Sequence, residues 1–177
     1  MFHIRVLEES DAPEFIRLRL EGLQNDPVAF CSSWEEEQSR TPESVAPRLR
    51  AVPEGNFVVG AFNEDQRLIG ITGFVRQDRP KTRHKGFVWG VYVTPDERGK
   101  GVARALLTSV QERVHRYTGL EQLFLSVSVS QTAARHLYTS LGFEVFGYEQ
   151  HALKIGETYI NEEHRVCWLI SPPTRES

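Results

Sequence analysis

One stretch decides the fold of this chain: residues 91–103, with the sequence VYVTPDERGKGVA. The apolar and β-branched residues from Gly86 to Val93 predict a strand, which the turn-forming residues 94–97 close. From Val102 onward, apolar residues recur at helical spacing, and Gly119 ends the pattern. The stretch is therefore predicted to contain a glycine-rich loop between a strand and a helix.

The position of this loop suits the binding of a phosphate group. A helix N-terminus carries backbone N–H groups without intrahelical acceptors, at the positive end of the helix dipole. Gly99 and Gly101 remove side chains that would block these N–H groups, and glycine accepts the backbone angles of a concave anion site. We therefore predict a pyrophosphate site. Its predicted members are Arg98, Gly99, Lys100, Gly101, Val102, Ala103 and Arg104.

The two commoner phosphate-binding loops do not match this one. The Walker pattern, glycine, four residues, then Gly-Lys-Ser or Gly-Lys-Thr, occurs nowhere in the chain, which argues against ATP hydrolysis. The dinucleotide fingerprint needs three glycines at a spacing that this loop lacks, and it follows an early strand of a parallel βαβ unit. A nicotinamide cofactor is therefore disfavoured. A simple tight turn at Gly99 and Gly101 is the alternative to a phosphate site.

The rest of the chain predicts a mixed order of helices and strands. Asp11 and Glu14 form a capping-box pattern ahead of an amphipathic helix that extends to Gln24. A loop and a second helix are predicted between Val28 and Val52, followed by an antiparallel hairpin. The other predicted elements are strands at residues 2–7, 56–62, 68–76, 123–129, 143–148 and 164–170, and a short helix at 132–141.

Length and composition are those of an ordinary globular domain. Of the 177 residues, 40% are hydrophobic and 25% are charged, so we predict one domain over residues 1–170 and a flexible tail over 171–177. The formal net charge of -3 provides no basic field for nucleic acid. Two separated cysteines, no secretion-signal pattern and no long apolar run favour a cytoplasmic protein without a metal site or a membrane span.

A second block, residues 131–143, has the sequence QTAARHLYTSLGF. Together with residues 91–103, and in this order, it resembles the acyl-CoA-binding motifs of the GNAT superfamily of N-acetyltransferases. The positions of this block that carry the resemblance are Ala134, Leu137, Tyr138, Gly142 and Phe143. The resemblance is strongest from Phe87 to Tyr148. It implies an α/β fold with a mostly antiparallel mixed sheet of about six to seven strands, splayed between the fourth and fifth and flanked by about four helices.

The resemblance also implies roles for individual residues. Acetyl-CoA is the implied cofactor, with its pantetheine arm between the splayed strands and paired with the backbone of Val91 and Val93. The N–H of Val93 would also polarise the thioester carbonyl. Gln131 stands where the family often has an asparagine that contacts the arm, and Arg135 is a further implied cofactor contact. Tyr138 matches the tyrosine that protonates the departing thiolate, and an ordinary phenol is protonated at neutral pH.

The acceptor side is less well defined by the sequence. Acyl transfer to an amine needs a neutral nucleophile, but Phe87–Val93 contains none of the carboxylates that many family members use as a base. Trp34 and Glu35 are predicted to bind the acceptor, because their region usually shapes the acceptor pocket of such enzymes. The candidates for the base are a water chain, Glu35, Glu36, Glu37, His84 and His151.

The leading hypothesis is an acetyl-CoA-dependent N-acetyltransferase that works by direct attack of a primary amine of a small molecule, amino acid or peptide. A non-catalytic acyl-CoA-binding sensor is a second hypothesis, because the strand carboxylate is missing. A third is an enzyme that modifies RNA or a protein N-terminus or lysine, for which the basic turn Arg79–Lys85 is the only support. A homodimer is common in the family and stays open for this chain.

Overall fold

A computed structural model describes residues 1–171, which form a seven-stranded sheet with helices on both faces. The strands are β1 (Phe2–Val6), β2 (Phe57–Asn63), β3 (Leu68–Arg76), β4 (Lys85–Val93), β5 (Gln122–Ser128), β6 (Glu144–Ile155) and β7 (Thr158–Trp168). The α-helices are α1 (Ala12–Asn25), α2 (Trp34–Glu37), α3 (Pro42–Leu49), α4 (Val102–Val114) and α5 (Thr132–Ser140). None of the helices in this part of the chain combines the length and apolar character needed to cross a membrane. The predicted α/β architecture is confirmed.

The sheet opens between its two central strands. The strand order is β1-β2-β3-β4-β5-β7-β6, and every neighbouring pair is antiparallel except β4 and β5. These two parallel strands pair only where Lys85–Phe87 lies beside Gln122–Phe124. Beyond these residues β4 and β5 diverge toward the loop that follows β4. The splay that the family resemblance implies between the fourth and fifth strands is confirmed.

A β-bulge lies in β4 at this opening. Tyr92 pairs with Ile71 of β3, and the next pair is Trp89 with Gly73, so β4 contains one extra residue. Gly90 has a φ of +64°, a left-handed conformation that costs glycine little because it has no Cβ. A bulge bends the strand that contains it. This one separates the paired start of β4 from the residues that border the gap.

Each face of the sheet has its own apolar core. α4 covers one face and buries Val102, Leu106, Leu107, Val110 and Val114 there. α1 and α3 cover the other face with buried side chains that include Phe15, Leu18, Leu23, Val45 and Leu49. β4 contributes to both cores, with Val88 and Val93 on the α4 side and Tyr92 on the α1 side. Burial of each large apolar side chain contributes about 1.5–3 kcal/mol, so packing on both faces holds β4 in place at the gap.

The predicted capping box of Asp11 and Glu14 is wrong. Asp11 forms a capping box with Glu8 instead, around a short 3-10 turn, and its carboxylate accepts the Glu8 N–H at 2.7 Å. α1 begins after this turn, at Ala12, and Glu14 is an ion-pair partner of Arg17. The helix thus begins where the sequence pattern places it, but a 3-10 turn precedes its first turn and Glu14 takes no part in the cap.

The last two strands are longer than the sequence predicts. β6 continues past Tyr148 to Ile155, and β7 begins at Thr158 rather than at His164. Most of the additional residues are exposed, so they lack the apolar alternation that marks a half-buried strand. Except for its first residue, the predicted tail over 171–177 lies outside the described residues.

Candidate active site

A cavity of about 620 Å³ occupies the gap between β4 and β5. Its walls are the diverging parts of these strands, the glycine loop with the start of α4, α5, one face of β7 and the segment after α1. Such a concave site with a few convergent polar groups is the usual form of a ligand pocket. The predicted site residues in its wall are Val91, Val93, Arg98, Gly99, Gly101, Val102, Ala103, Arg104, Gln131 and Tyr138.

The glycine loop forms an anion-binding end of this cavity. Gly99 and Gly101 have φ values of +76° and +83°, and a Cβ at either position would meet no atom within 4 Å. Within residues 1–171, the N–H groups of Gly99, Lys100 and Gly101 make no backbone hydrogen bond, and α4 starts at Val102 without a side-chain cap. The loop and the first turn of α4 therefore present free donors at the positive end of the helix dipole.

The three basic side chains near the loop differ in their positions. Arg98 lies in the cavity wall, but its guanidinium is paired with Asp26 at 2.5 Å. Lys100 lies outside the wall and pairs with Glu97 at 3.0 Å. Arg104 lies in the wall and donates to a neutral serine hydroxyl. Of the three, Arg104 is therefore best placed to bind an anion in the cavity.

β4 directs backbone N–H groups into the gap. Thr94 donates its N–H to the carbonyl of Ile69 on β3 at 2.9 Å. Backbone groups of successive strand residues point to opposite edges, so the N–H groups of Val93 and Val91 point away from β3. The carbonyl of Val93 accepts a hydrogen bond from Arg98 at 3.0 Å. Both valines thus offer N–H donors to a ligand, as the family resemblance implies for the pantetheine arm.

α5 places Tyr138 and Gln131 in the cavity wall, but not Arg135. Tyr138 is buried with its ring centroid 6.0 Å from that of Phe143, and burial raises its pKa. The phenol therefore stays protonated throughout the neutral pH range. Gln131 is the N-cap residue of α5. Arg135 pairs with Glu163 at 2.6 Å, outside the wall, which does not favour its predicted role in cofactor binding.

The predicted acceptor residues Trp34 and Glu35 also lie outside the cavity wall. They begin α2, where Glu37 is buried in an ion pair with Arg19 of α1, at 3.1 Å. Arg19 itself lies in the wall, with its guanidinium carbon 4.5 Å from the centre of the Phe30 ring. Its Nη1 is buried and has no hydrogen-bond partner among the described residues. The α1–α2 ion pair thus brings a cation to the cavity where the sequence predicts an acidic group.

Sequence reasoning missed Glu162 on β7, a cavity-wall carboxylate that, unlike Asp26 and Glu97, has no ion-pair partner among the described residues. Glu162 lies in the wall opposite Ser128 of β5, and only 9% of the residue is exposed. Among the residues that the structure describes, none donates a hydrogen bond to its carboxylate, and burial raises its pKa. Its neighbour Glu163 points to the other face of β7 and pairs with Arg165 at 2.6 Å. Glu162 is therefore a buried carboxylate that faces the cavity without a partner.

None of the side chains considered from the sequence as bases lies in the cavity wall formed by residues 1–171. These are Glu35, Glu36, Glu37, His84 and His151. A strand position such as Glu162 carries no local mark of function, because pairing with β5, from which α5 and β6 separate it in the chain, brings it to the gap. The nearest signal in the sequence is the run Glu162-Glu163-His164 before an apolar strand end.

Solved structures with the same fold define the class of the protein. A GNAT-family acetyltransferase from Streptococcus pneumoniae superimposes with a TM-score of 0.85 over 95% of this chain and 99% of that chain, at 23% identity. A GNAT-superfamily phosphinothricin acetyltransferase from Sinorhizobium meliloti, solved in complex with AcCoA, gives a TM-score of 0.82 over 98% and 94% of the two chains, at 21% identity. The fold is that of the GNAT acetyltransferases. Residues 17–143 match the model of the acetyltransferase (GNAT) family, and the chain belongs to this family.

Curated relatives are similar over parts of their length. A mycothiol acetyltransferase from Rhodococcus jostii (strain RHA1) is 34% identical over 153 residues, which cover 79% of this chain and 49% of that protein. An L-2,4-diaminobutyric acid acetyltransferase from Streptomyces anulatus is 35% identical over 105 residues, which cover 58% of each protein. The chain thus spans about half the length of these relatives.

Proposed function

We propose that this chain is an acetyl-CoA-dependent N-acetyltransferase that acts on a primary amine of a small molecule by direct attack. One observation carries the proposal: a single cavity connects an anion-binding helix terminus with a buried carboxylate that has no partner. The first feature suits a pyrophosphate and the second suits an ammonium group. The two reactants of N-acetylation have these opposite charges.

The residues at the glycine loop fit acetyl-CoA. The open space at Gly99 and Gly101 admits phosphate oxygens to the backbone N–H groups, and Arg104 adds positive charge. Val91 and Val93 offer strand N–H groups to the amide-bearing arm, and the N–H of Val93 is also our candidate for polarising the acyl carbonyl. When bound, acetyl-CoA supplies a thioester whose carbonyl carbon is open to attack by an amine.

Glu162 is the group that we assign to the acceptor nitrogen. A primary amine is mostly protonated at neutral pH and must lose a proton before it can attack. A buried, unpaired carboxylate attracts the ammonium group, and its raised pKa makes it a stronger base than an exposed glutamate. Glu162 thus supplies the carboxylate base that is missing from β4.

Tyr138 is the group that we assign to the leaving thiolate. Its hydroxyl accepts and donates no hydrogen bond within the described residues, and its raised pKa keeps it protonated until the reaction requires a proton. As the carbon–sulfur bond breaks, the phenol donates a hydrogen bond or its proton to sulfur.

The relatives guide the choice of the first acceptor. One is named for L-2,4-diaminobutyric acid, a small molecule with two amino groups, and the cavity is of a size for a small acceptor beside the cofactor arm. A non-catalytic sensor and an enzyme for protein amino groups are the alternatives. Glu162 favours the enzyme over the sensor, because a buried unpaired carboxylate is costly and cofactor binding alone gives it no role.

The test begins with calorimetric titration of the purified chain with acetyl-CoA, with ATP and NAD as controls. An assay of CoA release with L-2,4-diaminobutyric acid and other amines follows. Saturable binding of acetyl-CoA alone, together with amine-dependent CoA release, would support the proposal. Binding without turnover of any amine would favour the sensor, and no binding by folded protein would contradict both.

A further inference from the structure

Three side chains form a continuous hydrogen-bonded row from the cavity wall to the protein surface. Ser126 Oγ lies 2.8 Å from Nδ1 of His164, and Nε2 of His164 lies 2.8 Å from an Oε of Glu149. Ser126 is in the cavity wall, whereas the side chain of Glu149 is 52% exposed. We call these three residues the polar row.

The pairing of the last three strands builds the polar row. Ser126 and His164 are direct partners across β5 and β7, and Glu149 lies on β6, the other neighbour of β7. Glu162 lies two residues before His164 and therefore shares its face of the strand. The polar row and the buried carboxylate thus lie side by side on the acceptor side of the cavity.

The bond to Glu149 fixes the tautomer of the neutral ring. A carboxylate oxygen only accepts hydrogen bonds, so Nε2 of His164 carries the proton and donates it to Glu149. Nδ1 is then an acceptor, and the hydroxyl of Ser126 donates to it. The lone pairs of Ser126 Oγ remain available to a donor in the cavity, such as the N–H of an amine.

The chemistry of N-acetylation needs more than one proton acceptor. An ammonium group loses one proton before it attacks, and its nitrogen loses a second after the nitrogen–carbon bond forms. The thiolate takes one proton back, so each turnover releases one proton in total. Glu162 can hold only one of the two protons from nitrogen. A second acceptor beside it completes the proton balance.

We propose that the polar row takes the second proton of the acceptor nitrogen, an inference that rests on the acetyl transfer proposed above. The nitrogen gives its proton to Ser126 Oγ as the hydroxyl proton of Ser126 moves to Nδ1 of His164. Ser126 ends the step as a hydroxyl again, and His164 holds the proton as an imidazolium beside the Glu149 carboxylate. The ring returns to its neutral form by losing a proton to water after the product leaves.

The surroundings of His164 suit a transient positive charge. Glu149 contacts the ring from β6, Glu162 shares its face of β7, and Ser126 on β5 is neutral. The ring of Phe146 is its aromatic neighbour, with the centroids 6.1 Å apart. Both charged groups that face the ring are carboxylates.

The test is the variant His164→Ala with imidazole added to the assay. Because 31% of the His164 side chain is exposed, free imidazole has access to the space that the substitution leaves. We expect the amine-dependent kcat to fall about 100-fold, as for loss of a general base, and imidazole to restore at least a tenth of it. The Kd of acetyl-CoA should stay unchanged. Glu157→Gln, which removes an exposed carboxylate from the same hairpin, should retain full kcat.

Several outcomes would overturn the inference. An unchanged kcat in His164→Ala would remove the role of the row while leaving acetyl transfer in place, and a lowered kcat that imidazole does not restore would leave His164 a purely structural residue. If His164→Ala does not fold, the exposed Glu149 offers a second test. We expect Glu149→Gln to lower kcat about 5-fold, which is part of the full general-base effect. An unchanged kcat in this variant would refute the role of the polar row. Absence of turnover by the wild type with every amine would instead refute the proposed function, and this inference with it.

Discussion

The glycine loop and the β6–β7 hairpin border the same cavity but are built in different ways. The loop offers backbone N–H groups to the cavity, and its residues are consecutive in the chain between a strand and a helix. The hairpin contributes the side chains of Glu149, Glu162 and His164, which strand pairing brings together. The family match ends at Phe143, before the hairpin begins. The family match therefore includes the glycine loop, α4 and α5 but not the hairpin.

The largest expected effect is that of Glu162 on the hairpin, where substitution should change kcat and stability in opposite directions. Glu162→Gln should lower the amine-dependent kcat by about 100-fold or more, because it removes the proposed base, and should leave the Kd of acetyl-CoA unchanged. The folded pKa of Glu162 is raised, so its stability contribution is present below the unfolded value and lost as pH rises through the folded value. At neutral pH the variant should therefore have a higher Tm than the wild type. A Tm below that of the wild type would contradict the conclusion that the Glu162 carboxylate has no stabilising partner.

Glu163→Gln is the matched control for this experiment. Glu163 binds Arg135 and Arg165 on the opposite face of β7, and these partners hold its pKa below the usual value. Removing its charge leaves the buried Arg165 unpaired, which costs about 3 kcal/mol. This variant should lose stability and keep its kcat when folded. Similar behaviour of the two variants in both assays would show that the faces of β7 do not have separate roles.

Tyr138 provides the next effect, on the cofactor side. Tyr138→Phe should lower kcat about 10-fold to 100-fold, because the ring still packs but the proton for the thiolate is lost. The affinity for acetyl-CoA should change little. Steady-state kinetics with calorimetry on the same preparation would separate the two quantities. A fall in affinity with an unchanged kcat would assign Tyr138 to binding instead.

A smaller effect tests the glycine loop as a backbone site. Gly101→Ala places a methyl group in the open space of the loop at a φ of +83°, while Gly156→Ala introduces the same strain at +57° in the turn between β6 and β7. Both should lower stability by about 1 kcal/mol. Only Gly101→Ala should weaken acetyl-CoA binding, by about 10-fold, since its methyl group competes with phosphate for the N–H groups. Equal affinities in the two variants would exclude the loop as the phosphate site.

The smallest effect compares two cations of the loop. Arg104→Met should weaken acetyl-CoA binding about 3-fold at low salt and less at high salt, because Arg104 lies in the wall without a carboxylate partner. Lys100→Met should have little effect, because Lys100 is paired with Glu97 outside the wall. Titrations at two ionic strengths would measure both. A larger effect at Lys100 would show that this ion pair opens when the cofactor binds.

The difference between the two regions explains what the sequence could predict. The loop and α4 were accessible, because their signals are local glycine positions and helical spacing, whereas the splay of β4 from β5 was expected only from the family resemblance. Glu162 was not, because only register with β5 shows that it faces the cavity and Glu163 does not. Trp34 and Glu35 were placed at the acceptor by analogy, but they lie outside the cavity wall, and Arg19, which pairs with the buried Glu37 of α2, lines the cavity instead. Contacts between residues far apart in the chain thus determine which side chains line the acceptor side of the cavity, and local sequence patterns do not report such contacts.

The bulge at Gly90 determines which side chains of β4 face each core. Successive strand residues alternate between faces, yet Val88, Val91 and Val93 all pack on the α4 side while Trp89 and Tyr92 pack on the α1 side. The extra residue at Gly90 inverts the alternation between Trp89 and Val91. If Gly90 took a regular place in the strand pairing instead, every later residue in the strand would change faces, directing the large Tyr92 ring at α4 and the small valines away from it. A single extra residue without a side chain thus determines which core each of the last residues of β4 packs against before the glycine loop begins.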